Sequence, residues 1–461
     1  MINEDKYINI SFEILKYNVK VILNNNIPVW RKNKSGEYVV IPLENLEQFF
    51  GNNDNVDLIL YITEEWESLI DTGSINARKE AIIRQNIWSV SGPEYYEQKR
   101  LDIKNMTPAE RDKEFKSVIQ SIQKIKTTDK VLNEDLLVNL IEAVSDAFVL
   151  TKASFEDNYN DDKKVSHEHI KSMAKNTTSL VHTIMGILKK NSPTGDFVNM
   201  LREKSSGSTI AHMDSVFFTF LTFCYFYNSQ FAIGKITKLR GEYKKKYYRY
   251  YKKLIPDNPP ESLEDVFNGG MQEIPLDKLL QFSIGAFLHD IGKIDNIDYF
   301  EGTGFQNKKI IMEHAPIGYN MILKTNEFDS EVPLLAALHH EYYNDESGYG
   351  ISRFLFPESS RKYKSPQYCM TYDLADLKNG RALSYVPIKI LEIIDVFEAL
   401  TEKGRKYRDK EYSIEEAVEL MKSDFINKKL KIDPLLFTIF LDYIDNHSVL
   451  NHKILVKSLM L

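Results

Sequence analysis

The sequence predicts a mainly α protein that begins with a small mixed α/β region. Two observations lead to this fold class. Apolar residues recur at helical spacing, with few glycines, through most of the chain beyond about residue 75. Short apolar runs separated by a polar turn, which are typical of paired strands, occur before that point. At 461 residues, 43% hydrophobic and 27% charged, the chain has the length and composition of a globular protein with a sizeable core.

Residues 1–72 are predicted to form the small α/β domain. Residues 27–31 and Tyr38–Ile41 flank a polar turn at residues 33–36, which indicates strand, turn, strand. Residues 58–62 are a further predicted strand. This sequence region carries no constellation of catalytic side chains, so we expect a sensory or docking domain.

Residues 73–177 are predicted to form a helical connector. Two apolar stripes at helical spacing support this interpretation. They are Val118, Ile119, Ile122 and Ile125, and Leu136, Leu137, Leu140, Ile141 and Val144. Such helices can also join two copies in a homodimer, although packing within one chain is the simpler explanation for any single helix.

The composition argues against several classes of protein. A net charge of −7 argues against DNA binding by the protein as a whole. Cys224 and Cys369 give neither a disulfide framework nor a CxxC metal pair, which suits a reducing cytoplasm. The N-terminal residues lack the pattern of a signal peptide. The apolar run at residues 216–227 is shorter than the roughly 20 residues of a spanning helix, so we predict a buried core helix and no transmembrane segment.

Seven side chains end or interrupt apolar helical runs. They are His212, His289, Asp290, His314, His339, His340 and Asp395. A carboxylate buried in such a run is costly unless a metal ion or a basic side chain accompanies it. We therefore predict a metal site. For a lone buried aspartate a Lys or Arg partner is the commoner explanation, and a lone histidine in this setting is more often a hydrogen-bonded core residue.

Adjacent ligands favour two ions over one. Neighbouring residues on a helix point about 100° apart, so His289 and Asp290 cannot easily serve the same ion. A carboxylate can bridge two ions, and paired ions are common in the hydrolysis of phosphate esters. Imidazole and carboxylate ligands suit first-row divalent metals. By contrast, His167 and His169 are interpreted as a solvated helix face.

The segment FLHDIGK at residues 287–293 resembles the HD-GYP family of cyclic di-GMP phosphodiesterases. Other family-like segments follow in the family's order. They are residues 209–216 around the first histidine, 313–318 (EHAPIG), 339–350 (HHE, then GYG), 395–408 with two arginines, 413–417 and 433–437. The resemblance covers about residues 178–445. It implies an HD-superfamily helical catalytic domain over residues 178–452.

The resemblance also implies a set of ligands for two divalent ions, iron or manganese. One ion would be held by His212, His289, Asp290 and Asp395, and the other by His314, His339 and His340, with Asp290 bridging. Some relatives hold a third ion through a glutamate, but Ser208 occupies that position here.

The implied activity is hydrolysis of cyclic di-GMP to linear pGpG, and further to GMP. Asp290 and Lys293 are the implied catalytic residues, and Lys293, Tyr349, Arg405 and Arg408 the implied substrate contacts. A regulatory protein or a diguanylate cyclase is the expected type of protein partner. The alternatives are an HD phosphohydrolase that acts on another nucleotide, and a catalytically retired nucleotide-binding signalling protein.

The chain departs from the family pattern around these motifs. Gly350 stands where the family has the proline of GYP, and residues 342–347 are altered. Insertions are expected at about residues 229–275 and 351–386. Residues 235–253 combine many basic side chains with tyrosines, a pattern that can bind single-stranded nucleic acid or steer an anionic dinucleotide. A solvated helical insertion is the favoured interpretation of this segment.

Overall fold

A computed structural model describes most of the chain, in segments separated by gaps. The described residues are 7–10, 15, 19–32, 38–46, 49, 60–63, 66, 93–126, 134–161, 164–190, 209–293, 305–343, 348–349, 351–356, 366–402 and 412–447. The chain divides into two compact units, Met1–Val90 and Ser91–Leu461. The mainly α fold predicted from the sequence is confirmed. The division into three domains stays a prediction.

The first unit contains a four-stranded antiparallel sheet with the strand order β1-β4-β2-β3. Its elements are β1 (Tyr7–Ile10), α1 (Val19–Asn24), β2 (Val29–Lys32), β3 (Tyr38–Ile41) and β4 (Leu60–Thr63). Trp30 of β2 lies opposite Val40 of β3, so these strands pair as predicted. Strand β1 was not predicted, and it pairs with β4 at the edge of the sheet.

The second unit is built mainly from helices around one hydrophobic core. Its helices are α2 (Pro93–Asn105), α3 (Pro108–Lys126), α4 (Glu134–Asn160), α5 (His167–Lys190), α6 (Thr209–Ala232), α7 (Lys235–Lys246), α8 (Tyr248–Leu254), α9 (Leu263–Val266), α10 (Leu276–Phe287), α11 (Phe305–Thr325), α12 (Glu331–Leu338), α13 (Ser352–Leu355), α14 (Leu374–Lys378), α15 (Val386–Thr401), α16 (Ile414–Leu420) and α17 (Pro434–His447). A π-helical stretch, Met421–Lys428, follows α16 directly.

Helix α6 lies at the centre of this core. Because it is apolar almost all round, it is buried on every side, as expected for a central helix. It packs against α10 and α15, and α12 packs against α10, α11 and α15. The apolar run at residues 216–227 is therefore a buried core helix, as predicted. Five helices that carry the predicted ligands, or end next to them, thus converge on one region.

In the part of the chain that the structure describes, no single helix is long and apolar enough to cross a membrane. The pair Ile210–Ala232 and Lys235–Lys246, bent by 86°, would meet the length and composition of a broken span.

The tyrosines of residues 235–253 stabilise the fold. Tyr243, Tyr247, Tyr250 and Tyr251 are buried, and each hydroxyl donates to or shares a hydrogen bond with the core. Four of the basic side chains, Lys235, Arg240, Lys244 and Lys246, form ion pairs with acidic residues. These tyrosines are therefore not an exposed stacking surface for bases, which favours the helical insertion.

The second expected insertion contains a small parallel β-α-β unit. Strands β5 (Tyr368–Thr371) and β6 (Ala382–Tyr385) pair in parallel across α14. Phe267, from the first insertion, forms a β-bridge with Met370 of β5. The two insertions therefore pack against each other, and β6 leads directly into α15.

Candidate metal centre

The seven predicted ligands lie together in the second unit. His212 is in the first turn of α6, and His314 lies within α11. His289 and Asp290 directly follow the last turn of α10, and His339 and His340 follow α12. Asp395 lies within α15. Three overlapping groups of these side chains bring their ligand atoms within 4.8 Å of one another, and each group could hold a metal ion. The groups are His212, His289 and Asp395; His289, Asp290 and His339; and His314, His339 and His340.

Asp290 lies between the two sets of histidines. Its Oδ2 atom is 3.4 Å from Nε2 of His289 and 3.9 Å from Nε2 of His212. Its Oδ1 atom is 3.2 Å from Nε2 of His314 and 3.7 Å from Nε2 of His339. Each carboxylate oxygen therefore faces a different set of imidazoles, which is the arrangement that a bridging ligand requires.

Asp395 completes the first set and approaches the second. Its Oδ1 atom is 2.9 Å from Nε2 of His212 and 3.9 Å from Nε2 of His289. Its Oδ2 atom is 3.7 Å from Nδ1 of His340. In the described part of the chain, the groups that approach the Asp395 carboxylate at these distances are imidazoles rather than the Lys or Arg that more commonly accompanies a buried aspartate.

Two of the histidines have a fixed orientation. Nδ1 of His289 donates to the carbonyl oxygen of Ala286 at 2.8 Å, and Nδ1 of His339 donates to that of Ala336 at 2.9 Å. In a neutral ring this leaves Nε2 with a lone pair that faces the centre. Metal-binding histidines are typically held in this way, by a carbonyl or carboxylate on the opposite nitrogen.

The electrostatics of the site keep its carboxylates charged. Burial would raise the pKa of Asp290, but the Lys293 ammonium and the His289 and His314 rings outweigh it and hold that pKa well below its usual range. Burial likewise opposes ionisation of Asp395, and neighbouring His212 and His340 hold its pKa well below the usual value. Both aspartates are therefore anions, as metal ligands must be.

Two histidines of the second set, His339 and His340, have pKa values below the usual range. Burial and the adjacent imidazoles of His340, His289 and His314 hold the pKa of His339 well below its usual range. Burial is also the main reason that the pKa of His340 falls to about 4. Neutral imidazoles have the lone pairs that a metal ion needs.

The donor atoms fit a cation. Nε2 of His289 and Oδ1 of Asp290 are buried and have no hydrogen-bond partner among the described residues. The Nε2 atoms of His314 and His339 approach to 3.1 Å. Buried polar atoms are usually hydrogen-bonded, and unsatisfied ones call for an explanation such as an ion. Nitrogen and carboxylate oxygen together suit a first-row divalent metal.

A close backbone approach holds the HD turn against α11. A Cβ atom on Gly292 would lie 2.0 Å from the carbonyl oxygen of His314 and 2.3 Å from the amide nitrogen of Gly318. Main-chain atoms cannot yield as the end of a flexible side chain can. Only glycine at this position lets the turn that carries Asp290 reach the helix that carries His314.

We expect Gly292→Ala to separate the turn from α11, and so to lower the free energy of unfolding by about 3 kcal/mol or more. Metal content should fall as well, because His314 would move away from Asp290. Urea denaturation and elemental analysis would measure the two effects. Gly241→Ala is the matched control, since no atom lies within 4 Å of its added Cβ and alanine favours a helix. Equal stability of the two variants would contradict this account.

Tyr349 and Glu341 border the second set of histidines. The Tyr349 ring centroid lies 4.5 Å from that of His340 and 6.0 Å from that of His314. Glu341 is buried, and it accepts hydrogen bonds from the amide of Ile351 at 2.7 Å and the hydroxyl of Ser352 at 3.2 Å. The glutamate of the HHE motif therefore fastens the segment after Tyr349, and the tyrosine lies beside the site.

Lys293 also lies at the site. Its ammonium forms an ion pair with Oδ2 of Asp290, and its side chain remains 19% exposed. The lysine therefore reaches the candidate bridging carboxylate from the solvent side. The other predicted substrate contacts, Arg405 and Arg408, lie outside the described residues, as do Ser208 and Gly350.

Sequence reasoning missed Glu402, which is buried at the end of α15. Its Oε2 atom is 3.6 Å from Nδ1 of His212. The available signal was its spacing, because Glu402 follows Asp395 by about two helical turns and so lies on the same face.

The expectation for His169 was wrong. Its ring is buried, with Nδ1 3.0 Å from Oδ2 of Asp112 and Nε2 3.0 Å from the hydroxyl of Ser154. This Ser-His-Asp arrangement has the connectivity of a nucleophilic triad. Ser154 is completely buried, however, so no substrate can reach it. His169 links the other two side chains through these contacts, and the three side chains join α3, α4 and α5.

Comparisons with known proteins point to one domain family. Residues 270–400 match the family model for the HD domain. This span includes all the predicted ligands except His212. No curated protein matches the chain. Among solved structures, the chain is similar to an HDG"Y"P protein from Bdellovibrio bacteriovorus, with 11% identity over 95% of this chain and 99% of that chain and a TM-score of 0.34. A superposition of this quality does not establish a common fold.

Proposed function

This chain contains the HD domain of metal-dependent phosphohydrolases, and from that premise we propose that it hydrolyses cyclic di-GMP to linear pGpG, and further to GMP. The proposal places the protein in the HD-GYP branch of the superfamily, where the sequence motifs put it. It would lower the concentration of a signalling nucleotide. The metals we propose are two divalent ions, iron or manganese.

The observation that carries the proposal is the position of Asp290. One of its oxygens faces His289 and His212, and the other faces His314 and His339. A site for a single ion would not need a carboxylate with a separate set of imidazoles at each oxygen. Paired ions about 3.5–4 Å apart are a common arrangement in enzymes that cleave phosphodiesters.

The side chains at the site would have separate roles in the proposed reaction. When bound, such an ion pair supplies hydroxide near neutral pH and offsets the charge of the phosphate. The histidines and aspartates would hold the ions, and all of them except His340 are buried. Lys293 places a positive charge beside them, where negative charge increases on the phosphate oxygens in the transition state. Tyr349 offers an aromatic face at the rim to a base of the substrate.

The choice of cyclic di-GMP depends on motifs in the sequence. Arg405 and Arg408 correspond to the family's basic substrate motif, and a guanidinium fork suits both phosphate and guanine. The change of GYP to a sequence ending in Gly350 departs from the family's motif and leaves every predicted ligand present in the sequence. A different nucleotide is therefore the main competing substrate.

Metal analysis combined with turnover assays tests the proposal. Protein prepared without oxygen should contain about two first-row ions per chain. It should hydrolyse cyclic di-GMP faster than cyclic mononucleotides at equal concentration, because the basic motif can contact both phosphates. Elemental analysis and chromatography of the products would measure the two quantities.

The outcomes separate the candidate functions. Faster cleavage of a mononucleotide would indicate an HD phosphohydrolase with another substrate. Two ions and tight nucleotide binding without turnover would indicate a retired enzyme. Protein that contains no metal and takes none up would contradict the proposed centre itself.

A further inference from the structure

We propose that Glu402 is the positioning residue for His212, and that it selects the ring tautomer in which His212 can bind a metal. This inference rests on the proposed metal centre. It concerns a residue outside the ligand set, which acts through another side chain.

The two ring nitrogens of His212 face different carboxylates. Nε2 is 2.9 Å from Oδ1 of Asp395, within the group of candidate ligands, whereas Nδ1 is 3.6 Å from Oε2 of Glu402. Asp395 lies within α15 and Glu402 caps the end of that helix, so α15 flanks the imidazole on its two polar edges. The ring and the Glu402 carboxylate are each only about 2% exposed, so little water screens them from one another.

A neutral imidazole carries one proton, and its position decides whether Nε2 can bind a metal. With the proton on Nε2, this nitrogen donates to Asp395 and has no lone pair to offer an ion. With the proton on Nδ1, Nε2 is available, and the N–H points towards the Glu402 carboxylate. A negative charge at that position favours the second tautomer and so prepares the ring for metal.

Two other candidate ligands show how a group on Nδ1 can set the tautomer. His289 and His339 each donate from Nδ1 to the carbonyl three residues earlier, at the end of a helix. His212 lies instead in the first turn of α6. A carboxylate from α15 approaches the equivalent nitrogen.

Manganese titration of the full chain tests the role of Glu402. Metal-free samples of the wild type, Glu402→Met and Glu402→Gln would be titrated with Mn²⁺ in the absence of oxygen. Loss of a group that orients a metal ligand typically weakens affinity by about 10–100-fold, and we expect this for the methionine, which has similar volume and no acceptor. The glutamine keeps an acceptor but loses the charge, so a smaller, several-fold loss is expected.

The expected loss is confined to one of the two ions. The site formed by His314, His339 and His340 should keep its affinity, so electron paramagnetic resonance should detect isolated Mn²⁺ where the wild type has a coupled pair. Glu398 provides the matched control, because it is buried on the same helix but accepts a hydrogen bond from Thr219 at 2.7 Å. The same changes at Glu398 should leave both affinities within a few-fold of wild type.

Three outcomes would overturn the inference. The first is wild-type affinity for both ions in the folded Glu402 variants. The second is an equal loss of affinity on changing Glu398, which would show a general effect of removing a buried carboxylate. If circular dichroism shows that Glu402→Met does not fold, Glu402→Gln alone provides the test. Wild-type affinity of Glu402→Gln for both Mn²⁺ ions would then overturn the inference. The third is a wild type that binds no Mn²⁺, which would remove the metal centre and this role with it.

Discussion

Asp290→Asn is expected to lower turnover by roughly 10⁴-fold or more, the scale seen when a central catalytic group is removed. Asparagine has nearly the same shape as aspartate, so the fold should persist. The amide, however, carries no charge and presents N–H hydrogens on one side. Those hydrogens would point at the lone pairs of one set of histidines, and the bridge between the two sets would be lost.

The measurements are steady-state turnover, metal content and thermal unfolding. Asp290→Asn should contain fewer ions than the wild type, because the missing charge no longer offsets two divalent cations. Retention of near-normal activity would show that Asp290 does not bridge the ions.

A second buried aspartate provides the matched control. Asp214 lies two residues after His212 and accepts a hydrogen bond from the Ser145 hydroxyl. Burial raises the pKa of Asp214 well above its usual value, whereas the pKa of Asp290 is held well below its own. Asparagine imitates a protonated carboxyl, the form that burial favours at residue 214, and Asp214→Asn should therefore keep activity. Equal losses in the two variants would show that activity depends only on core packing.

The predicted ligands could be found from sequence because each one interrupts an apolar pattern. Asp395 is the clearest case, since a carboxylate within a buried helix needs a compensating partner. Helical periodicity shows that such a residue is buried, and residue chemistry suggests what must accompany it. The span that matches the family model for the HD domain, residues 270–400, contains six of the seven predicted ligands.

Contacts between segments that are distant in sequence could not be predicted in the same way. Glu402 approaches His212 only because α15 and α6 cross, and periodicity within one helix does not predict which helix it meets. His169 was misjudged for the same reason, since the flanking polar residues indicated a solvated face while Asp112 and Ser154 come from α3 and α4. The buried tyrosines of residues 235–253 resemble a binding surface in sequence, and only packing distinguishes the two.

Gly292 shows a further limit of sequence reasoning. A glycine after an apolar run usually indicates only the end of a helix. The structure adds a stronger requirement, because the carbonyl of His314 occupies the place where a Cβ would be. A distance of this kind depends on two helices that are separate in sequence.

Lys293→Ala is expected to lower kcat by roughly 10²-fold or more, judging by the loss of comparable charge-stabilising donors. The ammonium of Lys293 contacts Oδ2 of Asp290 and remains partly exposed, so it can also reach a phosphate placed at the site. Its charge matters most where negative charge increases on the phosphate oxygens. KM should therefore change less than kcat, because the contact strengthens in the transition state.

Metal content separates this role from a structural one. Lys293 is not among the candidate ligands, and alanine leaves all seven in place. The lysine does help to hold the pKa of Asp290 well below its usual range, but His289 and His314 act in the same direction. Asp290 should therefore stay ionised in the variant, and its ions should remain bound.

Lys293→Arg refines the test, since arginine keeps the charge but replaces a compact ammonium with a wider planar group. If charge alone matters, the arginine variant should recover most of the activity that alanine loses. If the lysine must fit between Asp290 and the substrate, arginine should recover little while the metal content stays normal. Normal turnover of Lys293→Ala would show that the lysine only forms an ion pair with Asp290. Loss of the metal ions from that variant would show instead that Lys293 holds the bridging carboxylate in place.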